Sequence, residues 1–189
     1  GDRVVSGRAL FGSCHYILTE ILPKFGIEVK LVDGTNIKQW ELALKKKTKI
    51  VFFETPSNPC LDIVDIEKVS KLAHKVGAKV VVDNVFASPV LQKPLKLNAD
   101  IVMYSATKHI DGQGRVLGGA ILSDKKFCKE IIKPFMRNTG PSISPFNAWV
   151  LLKGLETLNL RVEKQTKNTK EIFQFLEQNK HIKRIYYPF

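Results

Sequence analysis

Residues 104–115 read YSATKHIDGQGR, which sets Lys108 behind two hydroxyls, Ser105 and Thr107, and ahead of two glycines. Asp83 closes an apolar run as the first residue of an Asp-Asn pair, and Asn58 lies between two prolines in TPSNP. Each has an ordinary reading alone. Lys108 is then a solvated loop lysine, Asp83 caps a turn, Asn58 is plain turn chemistry, and the hydroxyls bond local backbone. As a set they share one chemistry. A lysine amine condenses with an aldehyde, a carboxylate keeps a ring nitrogen protonated, and hydroxyl and N–H donors hold a phosphate. Pyridoxal phosphate (PLP) presents all three groups.

The set is meaningful only if the chain brings it together. Short apolar, β-branched runs occur at Arg3–Val5, Val29–Val32, Lys49–Phe53, Lys79–Val82 and Ile101–Tyr104. Longer stretches with helical spacing separate them. In Asp65–Val76 the residues Ile66, Val69, Ala73 and Val76 recur at i, i+3, i+7 and i+10, one face of a helix. Asp65 is its N-cap and Gly77 its stop. Ser13–Lys24 and Ile37–Lys46 also read as helices. Strands apolar on both faces, separated by helices, imply an α/β fold: a mostly parallel sheet with helices on both faces. Ligands of such sheets bind beyond the carboxyl ends of the strands. Asp83, the Glu54-TPSNP turn and the Ser105–Lys108 segment each follow such a run, so they should share one rim.

Val116–Leu122 follows Ile101–Tyr104 too closely for a crossover helix, so an antiparallel neighbour is expected there. Beyond Ser123 the chain reads as helical to about Asn179, with Pro145 and Gly154 as punctuation and a break near Asn159–Leu160. His181–Tyr187 reads as the start of another strand.

Bulk properties narrow the function. The 189 residues, 44% hydrophobic and 25% charged, suffice for a domain with a real core. No apolar run is long enough to span a membrane. The opening GDRVVSG lacks Met and any leader pattern, so the chain reads as an excerpt of something longer. The net charge of +12 raises nucleic-acid binding. Its lysines are spread along the chain, however, and no aromatics interleave with the one tight run, Lys45–Lys47 and Lys49. No nucleic-acid partner is expected. Cys14, Cys60 and Cys128 form no CxxC, which fits reduced thiols in the cytoplasm. The four histidines show no metal-ligand spacing, and no metal is expected. Gly112, Gly114 and Gly118 only gesture at a dinucleotide motif, because the segment feeds a strand rather than a helix.

The stretches ETPSNP (54–59), VVVDNVFASPVLQKPLKLNADIVMYSATKHIDGQG (80–114), VLGGAIL (116–122) and RNTGPSISPFNAWVLLKGLETLNLR (137–161) resemble the Cys/Met-metabolism PLP enzymes, the γ-family of fold type I. Within that family, KHIDGQGRVLGG (108–119) is most similar to the O-succinylhomoserine sulfhydrylases. The resemblance implies the large PLP-binding domain, incomplete, over 1–140. Over 141–189 it implies connecting helices and the start of a C-terminal domain. It implies that Lys108 carries the cofactor and shuttles protons, Asp83 pairs with the pyridinium nitrogen, and Ser105 and Thr107 hold the phosphate. Asn58 would sit near the phenolic oxygen and the substrate carboxylate.

Phe11 stands where the family usually has a tyrosine stacked on the ring. A Phe stacks but exchanges no proton, which fits a replacement enzyme better than a lyase with a tyrosine base. Val85 replaces a common Thr. Family members carry further phosphate-binding and substrate-clamping segments on either side, and none lies in residues 1–189. The implied activity is γ-replacement on an O-acylhomoserine by a homo-oligomer, with an amino-acid substrate. Cystathionine γ-synthase or γ-lyase chemistry, or an inactive remnant, are the alternatives.

Overall fold

The computed structural model describes residues 1–188. Its six strands are β1 (Arg3–Gly7), β2 (Glu28–Val32), β3 (Ile50–Glu54), β4 (Lys79–Asp83), β5 (Ile101–Ser105) and β6 (Gly119–Ser123). They form one sheet in the order β2-β1-β3-β4-β5-β6. The first five run parallel, and β6 is antiparallel to β5. The strand order reverses between β1 and β3, where parallel sheets open a ligand crevice.

Alternation along the strands fills both faces. Val5, Val51, Phe53, Val80 and Val82 pack with Trp40, Val69 and Ala73 on one side. Val4, Ile50 and Phe52 pack with Leu10, Leu18 and Leu22 on the other. The first side is covered by α2 (Ile37–Ala43) and α3 (Ile66–Lys75). The second is covered by α1 (Gly12–Tyr16), which continues through a π turn (Ile17–Ile21) and a 3-10 turn (Leu22–Phe25). Helices this short are marginal alone. Burying each Val or Ile contributes about 1.5–3 kcal/mol, so the sheet contact holds them.

Local signals set the helix ends. The Asp65 carboxylate accepts the Lys68 N–H at 3.0 Å, and Gly77 stops α3 with a φ of +73°. Three boundaries differ from the sequence expectation. The Ser13–Lys24 helix tightens into its 3-10 turn at Pro23, which lacks an N–H, and ends at Gly26 with a φ of +71°. The Ile37–Lys46 helix stops at Ala43. There the buried Arg3 guanidinium donates to the Ala43 carbonyl at 2.8 Å and to the Thr48 hydroxyl at 2.9 Å. The strand expected from Val116 starts at Gly119. Gly118 is tied back instead, its carbonyl accepting the Ala106 N–H at 2.9 Å and its N–H donating to the Thr107 hydroxyl at 3.2 Å.

A short helix α4 (Ser88–Leu91) lies between β4 and β5. After β6 come α5 (Lys125–Phe127), a π turn (Cys128–Ile132), α6 (Lys133–Thr139), α7 (Pro145–Glu156) and α8 (Leu158–Glu177). Gly140, at a φ of +84°, ends α6, and Ser144 caps α7 through the Asn147 N–H at 3.1 Å. The break expected near Asn159–Leu160 falls at Thr157, between α7 and α8. His181–Tyr187 forms no strand. No strand of the sheet pairs with it, and Tyr187 stacks on Phe173 of α8 at 4.8 Å.

Candidate active site

Parallel register delivers the site. Asp83, the last residue of β4, is paired with Glu54 at the end of β3 and with Met103 in β5, two residues before Ser105. Phe11 precedes α1, and Asn58 lies in the loop after β3. Phe11, Asn58, Asp83, Ser105, Thr107 and Lys108 all line a single cavity of about 390 Å³. Glu54, Val85, Phe86, His109 and Leu117 complete its wall. A second hollow, about 380 Å³, lies on the other side of Glu54, against Arg8, Asp33 and Asp62. No lysine amine lines it, so it offers no group that forms an imine with an aldehyde.

The lysine turn is closed by its own backbone. The Lys108 N–H donates to the Ser105 carbonyl at 3.2 Å, Asp111 N–H to Ala106 at 2.8 Å, and Gly112 N–H to Lys108 at 2.7 Å. Lys108 itself is exposed. The buried Asp111 carboxylate accepts Arg115 N–H at 2.6 Å and Arg115 Nε at 2.9 Å, which folds the glycine segment back on the turn.

Two acids lie side by side at the floor. Asp83 is 5% exposed, and its carboxylate accepts a hydrogen bond from the Val85 N–H at 3.0 Å. Burial pushes its carboxyl up, against the pull of that N–H. Among the described residues no cation pairs with it. Glu54 is equally buried but better bonded, accepting Phe11 N–H at 2.7 Å and Asn58 N–H at 3.0 Å. Burial raises its pKa, the two N–H bonds oppose that, and the charge of Asp83 adds to the rise.

Glu54 therefore fixes two cavity residues that are 47 positions apart (58 − 11). Its role was open to the strand-end rule, because it closes β3 as Asp83 closes β4. What the sequence conceals is that both its oxygens are taken by backbone of two loops. Behind the rim, the Asn84 side chain donates to the carbonyls of Ser88 and Gln92 and to the Tyr104 hydroxyl, at 3.1, 2.9 and 2.9 Å. The half-buried His109 has its imidazole pKa pushed down by burial, up by a bond to the Phe86 backbone, and down by the charge of Arg161, for a net fall.

The donor set fits PLP. A buried carboxylate without a cation suits a pyridinium N–H, and an amine stands on the same wall. The Thr107 hydroxyl accepts from Gly118 N–H and has only a long 3.4 Å approach to the Gly118 carbonyl for its own proton. Among the described residues the Ser105 hydroxyl makes no hydrogen bond. Both can donate to a phosphate.

Fold and cavity together define an α/β domain built to hold a carbonyl cofactor at the carboxyl ends of parallel strands. The particular family follows from comparison: all of residues 1–189 match the family described as Cys/Met metabolism PLP-dependent enzyme, and the chain belongs to it. O-succinylhomoserine sulfhydrylase of Mycobacterium tuberculosis is 53% identical over 189 residues, covering 100% of this chain and 47% of that protein. L-methionine gamma-lyase of Fusobacterium nucleatum subsp. polymorphum is 42% identical over 190 aligned positions, covering 100% and 48%. The crystal structure of cystathionine gamma synthase from Xanthomonas oryzae pv. oryzae, with aminoacrylate and cysteine, superposes with a TM-score of 0.95. It is 35% identical and covers 100% of this chain and 49% of its own. The chain thus spans about half the length of the curated relatives it matches. Among the described residues no helix is long and apolar enough to cross a membrane.

Proposed function

We propose that this chain carries the cofactor-binding centre of a PLP-dependent γ-replacement enzyme acting on an O-acylhomoserine. The observation that carries the reading is the single cavity lined by Lys108, Asp83, Asn58, Ser105, Thr107 and Phe11. The choice of O-succinylhomoserine and sulfide, giving homocysteine and succinate, is supported by the 53% identity to an O-succinylhomoserine sulfhydrylase. In that reaction the Cγ–O bond breaks, succinate leaves with the electron pair, and sulfide forms the Cγ–S bond.

When bound, PLP supplies an electron sink for the substrate's α-carbon. The rest falls to side chains. Lys108 Nζ would attach the cofactor and then move protons between the α and β carbons, while the γ carbon exchanges succinate for sulfide. Asp83 holds the proton of the ring nitrogen, its burial strengthening that attraction by excluding water. Ser105 and Thr107 donate to the phosphate, and Asn58 orients the phenolic oxygen and the substrate carboxylate. Phe11 packs on the ring without titrating, which leaves Lys108 as the proton carrier. The whole protein would work as a homo-oligomer in the cytoplasm, in keeping with its free cysteines.

The direct test is to incubate the protein with PLP, reduce with borohydride, digest and map the pyridoxyl group by mass spectrometry. Selective labelling of Lys108 over the other lysines is expected. Scattered or absent labelling would mean that residues 1–189 keep the family's sequence but need the segments beyond them to hold PLP. The likeness to a methionine gamma-lyase favours γ-elimination as the second reading. Assay of the whole protein with O-succinylhomoserine decides: homocysteine formed only when sulfide is present supports replacement, whereas a 2-keto acid formed without a thiol supports the lyase.

A further inference from the structure

Arg161 lies on α8, far along the chain from Lys108, yet its guanidinium ends on the lysine's own turn. Nη1 donates to the His109 carbonyl at 2.8 Å, and Nη2 reaches the Ile110 carbonyl at 3.4 Å. From its own side the group is held by the Gly154 carbonyl at 2.8 Å and the Thr157 hydroxyl at 3.1 Å. The salt bridges among the described residues do not include Arg161, so its charge is directed at carbonyl oxygens. The three backbone bonds that close the turn are internal to it. The Arg161 bonds are the ones that anchor residues 109 and 110 to the α7–α8 junction.

The surrounding sequence makes room for this contact. A Cβ at Gly112 would overlap the guanidinium, and one at Gly154 would overlap the Ile110 carbonyl. A planar fork can hold two successive carbonyls at once while a third and fourth acceptor fix its own plane. A lysine ammonium in its place is a point charge on a flexible stem and cannot do so.

We propose that Arg161 is a positioning residue for Lys108, fixing the carbonyls of residues 109 and 110 and so the approach of the lysine amine to the cavity. The inference rests on the reading of Lys108 as the cofactor-binding lysine. It assigns Arg161 no contact with cofactor or substrate.

The test uses the holoenzyme at its natural length, stripped of PLP and reloaded. The rate of borohydride-trappable attachment at Lys108 and the pH midpoint of the visible imine band are read per folded molecule, with far-ultraviolet circular dichroism as the folding control. Arg161→Met is expected to slow attachment on the order of tenfold or more, as displacements of about an ångström at reacting groups do, and to shift the midpoint. Arg161→Lys should recover part of the rate. Thr157→Val, which removes one acceptor that orients the guanidinium, should give a smaller change in the same direction. A merely structural tether would lower stability and leave rate and midpoint per folded molecule unchanged, and that result in Arg161→Met overturns the proposal. If Arg161→Met does not fold, unchanged rates in both Arg161→Lys and Thr157→Val overturn it instead. Failure of the wild-type protein to label Lys108 removes the cofactor reading itself, and this inference with it.

Discussion

Asp83 and Asp100 stand on opposite rims of the same sheet. Asp83 closes β4, and Asp100 immediately precedes the neighbouring β5. Both are largely shielded from water, and burial pushes both carboxyls up. The outcomes are opposite. Asp100 accepts the Val80 N–H at 2.8 Å, His74 Nε2 at 2.8 Å and Lys79 Nζ at 3.3 Å. Those partners outweigh its desolvation and hold its pKa below the usual range. Asp83 has one backbone N–H, and its pKa stays raised. A carboxylate completed by its own protein is part of the scaffold. A buried carboxylate left without a cation, on the wall of a cavity, costs stability unless a ligand supplies one. The rim that holds Asp83 is also the one that gathers the lysine and the hydroxyls.

The largest expected effect bears on whether the cavity rim reacts at all. Lys108→Ala should abolish covalent capture of PLP, measured by borohydride reduction and peptide mapping. A pyridoxyl group retained elsewhere at wild-type yield would sink the assignment. Next comes the exchange of the two aspartates. Asp83→Asn should lower turnover of the whole enzyme on the order of 10²–10³-fold while leaving the melting temperature without PLP equal to or above wild type. Asp100→Ala should do the reverse, costing about 1–3 kcal/mol by stranding the Val80 N–H and its charged neighbours, with turnover per folded molecule retained. If Asp83→Asn destabilises and Asp100→Ala inactivates, the contrast between the rims is wrong.

The sheet, the helices on both faces and the rim were legible in the sequence because they depend on local period and on the ends of runs. Asp65 and Gly77 bracket α3 as their chemistry demands, and the alternation in IVFFE and KVVVD fixes which side chains enter the core. The remaining features were not legible, each for a long-range reason. Arg3, on β1, caps the end of α2 across 40 residues. The Thr107 hydroxyl takes the Gly118 N–H and shortens β6. Glu54 and Arg161 organise the site through backbone atoms of distant loops, and backbone acceptors leave no trace in residue type. His181–Tyr187 carries a strand-like composition, but a strand exists only where a partner edge meets it.

Acidification provides a smaller and signed test. Free Asp titrates at about 3.9. The folded pKa of Asp83 is raised, so its contribution is most favourable below that unfolded value and is lost as pH rises through the folded one. Asp100 has a lowered folded pKa, so its contribution is present above the unfolded value and is lost as pH falls through the folded one. In thermal melts without PLP, the advantage of Asp83→Asn over wild type should therefore grow from about pH 4 upward. The deficit of Asp100→Ala should be full at neutral pH and shrink only in stronger acid. Saturating PLP should erase the first difference and leave the second. A gap for Asp83→Asn that does not change between acid and neutral pH would mean that Asp83 is not ionised against its environment.

The smallest effect concerns the thiols, and it probes the field of the two cavity acids from a third group. Cys14, on α1, is pushed up to about 11 by burial, then by the charges of Asp83 and Glu54. Cys60, two residues beyond Asn58, is exposed. Since the thiolate is the nucleophile, iodoacetamide at mildly alkaline pH should label Cys60 well before Cys14, as peptide mapping over a time course would show. Asp83→Asn should speed Cys14 labelling modestly by removing one of the two charges, while leaving Cys60 unchanged. Cys14 labelling that is unaffected by Asp83→Asn would place the negative charge of the cavity on Glu54 alone. The pyridinium partner would then have to be looked for one strand over, at the end of β3.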